Sequence, residues 1–127
     1  MNLDIVRTKR DSELIAATIY HEARGEGWRG MLAVAHVIRN RVQRNSWYGG
    51  NVFEVVTKPF QFSCHNGGFA DYYDHKALMI AEMVLAGVTV DVTHNADHYH
   101  ADYVMPDWST SMKFCTKIGR HLFYRVV

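Results

Sequence analysis

Residues 19–27, IYHEARGEG, join two helical patterns and constrain the fold more than any other stretch of the chain. Apolar residues recur at helical spacing on both sides of it, which predicts helices over residues 11–22 and 28–44. Gly25 and Gly27 make one continuous helix unfavourable, because glycine weakens helix interiors and favours turns. The sequence therefore predicts two helices that meet at a tight turn.

Glu22 stands at this junction, where the first helical pattern ends. Ile19 and Tyr20 precede it and the turn follows, so we expect its carboxyl group to be partly shielded from water, as a general acid requires. The alternative is an ordinary charge at a helix end. The stretch is not a zinc motif of the HExxH type, because Gly25 occupies the position of the second histidine.

With 127 residues the chain can form its own core, and we predict a single domain over residues 1–127 with a short lead-in over residues 1–10. The formal net charge of +1 provides no strong basic field, so we expect no nucleic-acid partner. No apolar run reaches transmembrane length, and residues 1–7 lack the apolar core of a signal peptide. We therefore expect no membrane insertion and a cytoplasmic location until another factor releases the chain. We also expect a monomer.

The rest of the chain has a less regular pattern. A third helix is predicted over residues 74–86, followed by the helix-stopping Gly87. Residues 52–56 fit either a helical turn or a strand, whereas residues 88–93 alternate like a short strand. From His94 onward the pattern indicates loops rich in aromatic residues and histidine. The sum is an α+β, mostly helical domain with a cleft built from connecting segments.

Aromatic and amide side chains are frequent in and beside the predicted loops. Flat apolar faces with hydroxyl or indole donors suit a sugar chain, because sugars present both C–H faces and hydroxyl groups. Gln61 and Asn66 add amides that can bind N-acetyl groups. Each of these residues is also common in cores or turns, which is the alternative interpretation.

The segment HNADHYHAD contains His94, His98 and His100 together with two aspartates, all of them potential metal ligands. Its spacing matches no standard ligand pattern, so we predict no metal site. Cys64 and Cys115 are too few for a disulfide framework.

A conventional glycosidase pairs two carboxyl groups, about 5–5.5 Å apart for retention and roughly 6.5–9.5 Å apart for inversion. Glu26 would lie near Glu22 on a continuous helix, which Gly25 and Gly27 make unfavourable. Other candidates are Glu54, Asp91 and Asp107, and the sequence does not choose among them. Mechanisms with a single acid also exist, so no pair is required.

Four blocks span nearly the whole chain, from about Ser12 to Tyr124: IYHEARGEGWRGMLAVAHVIRNRV, KPFQFSC, DVTHNADHYHADYVMPDW and IGRHLFY. With these blocks in this order, the chain resembles the SleB-type cell-wall hydrolases, the spore-cortex-lytic family that also has phage and bacterial relatives. The resemblance implies a lysozyme-like domain, related in active-site design to goose-type lysozymes and lytic transglycosylases, with Glu22 as the acidic catalyst. His21 replaces the family's commoner small residue, and His94-Asn95 occurs where glycine is frequent.

The resemblance further implies a lytic transglycosylase that cuts the β-1,4 bond between N-acetylmuramic acid and N-acetylglucosamine, with peptidoglycan strands as its partner and no cofactor. The residues expected to bind substrate are Glu26, Gln61, Phe62, Ser63, Tyr99, His100, Tyr103, Trp108 and Tyr124. The absence of an export signal and of a separate wall-binding domain suits a phage endolysin released by a holin. The alternatives are a muramidase that uses a second carboxylate, a zinc-dependent amidase and an inactive wall-binding module.

Overall fold

The computed structural model describes residues 3–127. Over this range the chain forms five α-helices: α1 (Leu3–Arg7), α2 (Asp11–Ala23), α3 (Gly27–Arg44), α4 (Val52–Thr57) and α5 (His75–Ala86). The strands are β1 (His98–Ala101), β2 (Lys113–Ile118) and β3 (His121–Arg125). Short 3-10 turns occur at Arg24–Glu26, Ser63–His65 and Asp107–Thr110. The domain is therefore α+β and mostly helical, as the sequence predicts.

The predicted junction between the first two long helices is confirmed. Helix α2 ends at Ala23 and α3 begins at Gly27, each within one residue of the prediction. Arg24–Glu26 form the turn between them, and Gly27 has a φ of +72°, which a residue with a side chain rarely adopts. Helices α2, α3 and α5 pack around one apolar core, to which α4 also contributes. Glu22 therefore lies in the last turn of α2, next to the buried Ala23.

Residues 52–56, which fit either a helical turn or a strand by sequence, form helix α4 in the structure. The side chain of Asn51 accepts a hydrogen bond from the Glu54 N–H at 2.8 Å, which caps the helix N-terminus. Val52, Val55 and Val56 then fall on one face and are buried in the core. The capping residue therefore outweighs the strand preference of these β-branched residues.

The segment predicted as a short lead-in, residues 1–10, contains a short helix. Leu3–Arg7 form helix α1, in which Val6 is buried in the core. The guanidinium of Arg7 also lies over the ring of Phe53, 4.4 Å from its centroid. Residues 1–2 lie outside the described residues. No helix within residues 3–127 has both the length and the apolar character needed to cross a membrane.

The strand predicted over residues 88–93 is wrong. The Asp91 carboxylate accepts hydrogen bonds from the backbone N–H groups of Thr93 at 2.8 Å and Asn95 at 3.0 Å, which folds the segment into a turn. Val88 and Val90, whose alternation suggests a strand, are 70% and 82% exposed. Turn formation by the aspartate therefore overrides the alternating pattern.

The loops predicted after His94 are also corrected, because much of this region is an antiparallel sheet in the order β1-β3-β2. Strand β3 is central, pairing His98 of β1 with Tyr124 and Lys113 of β2 with Arg125. The sheet packs against α3 through a second apolar cluster that includes Val37 and Phe123. The three strands have only four, six and five residues, so their pattern in the sequence is weak.

Candidate active site

The Glu22 carboxylate is held by hydrogen bonds to both of its oxygens. Oε1 accepts a hydrogen bond from the Tyr99 hydroxyl at 2.5 Å. Oε2 accepts one from the Cys64 backbone N–H at 3.1 Å and a longer one from the Ser63 hydroxyl at 3.4 Å. The side chain is half-buried, so it is oriented by the protein but still reachable from solvent. Such a carboxyl group meets the geometric requirement for general acid–base work.

Three separate elements deliver these groups. The end of α2 supplies Glu22, the Ser63–His65 turn supplies Ser63 and Cys64, and strand β1 supplies Tyr99. Burial raises the pKa of the Tyr99 hydroxyl well above its usual value, and the negative charge of Glu22 raises it further. Tyr99 therefore keeps its proton at neutral pH and remains a hydrogen-bond donor to the carboxylate.

Buried His65 supports the Ser63–His65 turn from behind. Its Nδ1 accepts a hydrogen bond from the Ala70 N–H at 3.1 Å, so the remaining ring proton belongs to Nε2. Nε2 then donates to the Thr18 hydroxyl at 3.0 Å, and that hydroxyl donates to the Leu14 carbonyl of α2. Burial lowers the pKa of His65 from 6.5 to about 4, because the charged imidazolium would lose its hydration. A neutral histidine thus ties the turn to the helix that carries Glu22.

The two cysteines are free thiols. Burial raises the pKa of the Cys64 thiol, and the charge of Glu22 and a hydrogen bond to it raise the pKa further. The pKa of Cys115 is also raised, first by burial. Because the thiolate is the reactive form, the raised pKa makes both thiols weaker nucleophiles.

Glu22 borders a cleft of about 550 Å³. The lining consists of His21, Glu22, Arg41, Phe60, Gln61, Ser63, His98, Tyr99, His100, Ala101, Tyr103, Val104, Pro106, Trp108 and His121. A second cavity of about 380 Å³ shares Glu22, Ala101, Tyr103 and His121 with the first. The carboxyl group therefore lies where two cavities adjoin.

Six of the predicted substrate-binding residues lie in the lining of this cleft. They are Gln61, Ser63, Tyr99, His100, Tyr103 and Trp108. Trp108 packs edge-on against His100, with ring centroids 5.7 Å apart, and Tyr103 is 84% exposed. Among these residues, His100 and Trp108 pack together, Tyr99 packs against His121 and Phe123, and the Tyr103 ring is exposed.

Phe62 and Tyr124 do not line this cleft, which corrects their predicted role. Phe62 is 1% exposed and belongs to the apolar core, because its extended backbone turns it away from the side on which its two neighbours lie. Tyr124 is buried beneath His100, where its ring stacks on the imidazole and its hydroxyl meets Nε2 at 3.0 Å. Tyr124 therefore supports the cleft wall from behind.

Glu26 lines the second cavity rather than the main cleft. Its carboxylate accepts a hydrogen bond from the Arg120 N–H at 2.9 Å, which joins the turn after α2 to the hairpin between β2 and β3. Gly119 in this hairpin has a φ of +57°, which favours glycine, and a Cβ there would lie 2.6 Å from Glu26 Oε2 and displace that side chain. Glu26 therefore stabilises the hairpin contact and also lines the same cavity as Glu22.

Several residues that line the cleft were not predicted from the sequence to bind substrate, among them Arg41, His98 and His121. Arg41 follows Val37 and Ile38 at helical spacing, so its place on the buried face of α3 was visible in the sequence. Burial lowers the pKa of Arg41, which still remains charged because an arginine begins far above neutrality. Burial also lowers the pKa of His121, although the charges of Glu26 and other carboxylates oppose the change.

The fully buried Asp97 organises the wall of the cleft. One carboxylate oxygen accepts from His98 Nδ1 at 3.0 Å and the other from Arg44 at 2.9 Å and Tyr48 at 3.1 Å. Burial raises the pKa of Asp97, but the hydrogen bond and charge of His98 and the charge of Arg44 outweigh this and lower the pKa overall. His98 Nδ1 must carry its proton, which leaves Nε2 as the ring nitrogen without a hydrogen bond among residues 3–127.

The three histidines of the segment HNADHYHAD go to different places. His98 binds Asp97, His100 binds Tyr124, and His94 lies at a separate surface cavity beside Cys115. Within residues 3–127 no three histidine, cysteine or carboxylate side chains converge as metal ligands.

Comparison with known proteins identifies similar sequences and folds. Residues 25–124 match the model of a family described as Cell Wall Hydrolase. The chain is 32% identical to a spore cortex-lytic enzyme of Bacillus cereus over 118 residues, which is 91% of this chain and 44% of that protein. It is 29% identical to the Bacillus subtilis enzyme of the same name, covering 91% of this chain and 38% of that protein. The chain thus spans about two fifths of the length of these relatives.

Two solved structures have a similar fold. The catalytic domain of the germination-specific lytic transglycosylase SleB from Bacillus anthracis superposes with a TM-score of 0.79 at 30% identity, covering 91% of this chain and 93% of that one. The catalytic domain of the Bacillus cereus SleB protein gives a TM-score of 0.78 at 31% identity, covering 91% and 89% of the two chains. The fold of the chain is therefore that of a SleB catalytic domain, as the resemblance in the sequence implies.

Proposed function

Because the chain belongs to the cell wall hydrolase family, we propose that it cleaves the glycan strands of peptidoglycan as a lytic transglycosylase. The observation that carries this proposal is the Glu22 carboxyl group, held at both oxygens at the junction of two adjoining cavities. The similarity to a domain named as a lytic transglycosylase supports the choice of reaction.

In the first step, protonated Glu22 donates its proton to the oxygen of the β-1,4 bond between N-acetylmuramic acid and N-acetylglucosamine. The bond from that oxygen to C1 of the muramoyl residue then breaks, and positive charge develops at C1. Tyr99 can hold the carboxyl group in either protonation state, because a phenol hydroxyl both donates and accepts. General acid catalysis of this kind contributes roughly 10²–10⁴-fold to a rate.

In the second step, the Glu22 carboxylate takes the proton from the 6-hydroxyl of the same muramoyl residue as that oxygen bonds to C1. The product is a 1,6-anhydro sugar, and Glu22 is protonated again for the next cycle. The nucleophile belongs to the substrate and is already close to C1, so proximity supplies much of the rate. This sequence of steps needs no second carboxylate.

Hydrolysis by water is the second candidate reaction. Glu26 favours it, because this residue lines the same 380 Å³ cavity as Glu22 and could activate a water molecule. One oxygen of Glu26 is already engaged by the Arg120 N–H, which favours a structural role instead. The two reactions give different products, since the anhydro sugar contains one water fewer.

Digestion of purified sacculi tests the proposal. We expect the wild type to release soluble fragments with anhydro ends, and Glu22→Gln to reduce the rate by at least about 10²-fold. Glu82→Gln, the same change at an exposed position of α5, is the matched control and should leave the rate unchanged. Full activity of Glu22→Gln would refute the mechanism, and reducing ends in place of anhydro ends would favour hydrolysis.

For the biological context, we propose that the chain acts as a phage endolysin that reaches the wall from the cytoplasm. Expression in a bacterial host should then cause lysis only when a holin or another agent permeabilises the inner membrane. Lysis that requires no permeabilisation would contradict this context without affecting the enzymatic proposal.

A further inference from the structure

Arg41 places a buried positive charge at the floor of the cleft. The residue is 4% exposed and yet belongs to the cleft lining. Its guanidinium lies over two aromatic rings, 5.0 Å from the centroid of Tyr48 and 5.4 Å from that of Phe62. Its Nε donates to the Asp97 carbonyl at 2.8 Å, which fixes the direction of the group.

This cation forms no ion pair with any carboxylate within residues 3–127. The Asp97 carboxylate forms its ion pairs with Arg44 and His98 instead. The side-chain partner of Arg41 is the neutral Gln61, whose Oε1 lies 3.4 Å from one terminal nitrogen. A buried charge is normally paired, because the loss of hydration is costly. The charge of Asp97 acts on Arg41 without direct ion-pair contact, so the guanidinium has no carboxylate bound to it within residues 3–127.

The position of Gln61 relates this cation to Glu22. Phe62 has an extended backbone, with φ −121° and ψ 105°, so Gln61 and Ser63 lie on the same side of the chain. Alternate residues of an extended chain are about 6.5 Å apart. Ser63 contacts Glu22 directly, so Gln61, the partner of Arg41, lies on the same side of this segment as the residue that binds the acid, and both line the cleft.

We propose that Arg41 and Gln61 form a subsite for a carboxylate of the muramoyl residue at the scissile bond. This inference rests on the proposed function and names the substrate group that the cleft selects. N-Acetylglucosamine has no acidic group, whereas a muramoyl residue has a lactyl acid that is either free or extended by a stem peptide with its own carboxylates. A guanidinium suits this group, because its N–H donors match the two oxygens of a carboxylate.

Binding measurements with soluble glycan fragments test the inference in a Glu22→Gln background, which prevents turnover. The first fragment has free lactyl carboxylates, the second is the same glycan with those groups converted to amides, and the third has intact stem peptides. A hydrogen-bonded charge should make the preferred carboxylate fragment about tenfold to a hundredfold tighter than the amide fragment. Preference for the first fragment identifies the lactyl acid, and preference for the third identifies the stem peptide.

Gln61→Glu supplies an internal counter-ion to Arg41 and is the decisive variant. We expect it to keep or raise the thermal unfolding midpoint, while binding of the preferred fragment weakens by at least about tenfold and binding of the amide fragment changes little. Gln43→Glu, the same change at an exposed position of α3, is the matched control and should leave all affinities unchanged. Arg41→Lys keeps the charge without the planar fork and should lose part of the preference.

Equal binding of all three fragments, or a preference that Gln61→Glu leaves intact, would overturn the inference. The sacculus digestion separates this result from a failure of the proposed function. If the wild type releases anhydro fragments but the protein binds the carboxylate and amide fragments equally well, only the subsite is refuted. Absence of both release and binding refutes the subsite and the function together.

Discussion

Buried His65 should make the stability of the domain depend on pH in the mildly acidic range. In the unfolded chain the imidazole takes up a proton near its usual pKa of 6.5, whereas in the folded protein it stays neutral down to about 4. Between these values the unfolded state binds more protons, so the free energy of unfolding decreases as the pH falls. The contribution is fully present above about pH 6.5 and is lost as the pH falls to about 4.

The magnitude follows from the same two values. The decrease from 6.5 to about 4, at about 1.36 kcal/mol per pKa unit, corresponds to about 3 kcal/mol in full. Most of it, about 2.5 kcal/mol, should already be lost at pH 4.5. His65 is 5% exposed, so solvent screening reduces this value little.

Urea unfolding of the wild type and His65→Gln at pH 7 and pH 4.5 measures this contribution. Glutamine retains a neutral donor and acceptor, so the variant should lose about 2.5 kcal/mol less than the wild type between the two pH values. His75→Gln removes an exposed histidine of α5 and is the matched control, which should behave as the wild type. Burial also lowers the pKa of His36 and His121, so part of the acid destabilisation should remain in every variant.

Equal losses of stability in the wild type and His65→Gln would refute the reasoning. The outcome also bears on the active site, because His65 ties α2 to the turn that donates the Cys64 N–H to Glu22. We therefore expect the lytic activity of the wild type to decline in the same pH range in which the His65 contribution to stability is lost.

Two further substitutions test the contacts around the acid. Tyr99→Phe removes the hydroxyl that donates to Glu22, and we expect sacculus digestion to slow by about tenfold to a hundredfold while the fold is retained; an unchanged rate would contradict this. Gly119→Ala places a side chain at φ +57° and 2.6 Å from Glu26 Oε2, so thermal or urea unfolding should show a loss of about 1–3 kcal/mol. Gly25→Ala meets no atom within 4 Å and has no positive φ, so it is the control; equal losses in the two variants would contradict the argument from backbone strain.

The helices could be predicted from the sequence because their signals are local. The turn between α2 and α3 follows from the spacing of apolar residues and from Gly25 and Gly27. The strands could not be predicted in this way, because each is short and is stabilised by pairing with a strand elsewhere in the chain. Residues 88–93 show the opposite case: their alternating pattern predicts a strand, but the segment pairs with no strand within residues 3–127 and forms none.

The cleft residues could be predicted only in part, because the side on which each side chain lies depends on the backbone conformation. Gln61, Phe62 and Ser63 are consecutive, and the sequence alone could not tell which of them face the cleft. The extended backbone at Phe62 decides this, because it turns Phe62 into the core and its two neighbours outward. The Cys64 N–H that binds Glu22 has no signal in the sequence at all, since every residue except proline has that group.

The sequence by itself determined that a carboxyl group ends a helix at a glycine-rich turn, because capping, glycine conformation and helical spacing act over a few residues. Only the tertiary structure decided which groups bind that carboxyl. Its partners lie 41, 42 and 77 residues farther along the chain, and they meet it only because α2, the Ser63–His65 turn and strand β1 pack together. Contacts over such distances depend on how whole elements pack, which no local pattern specifies.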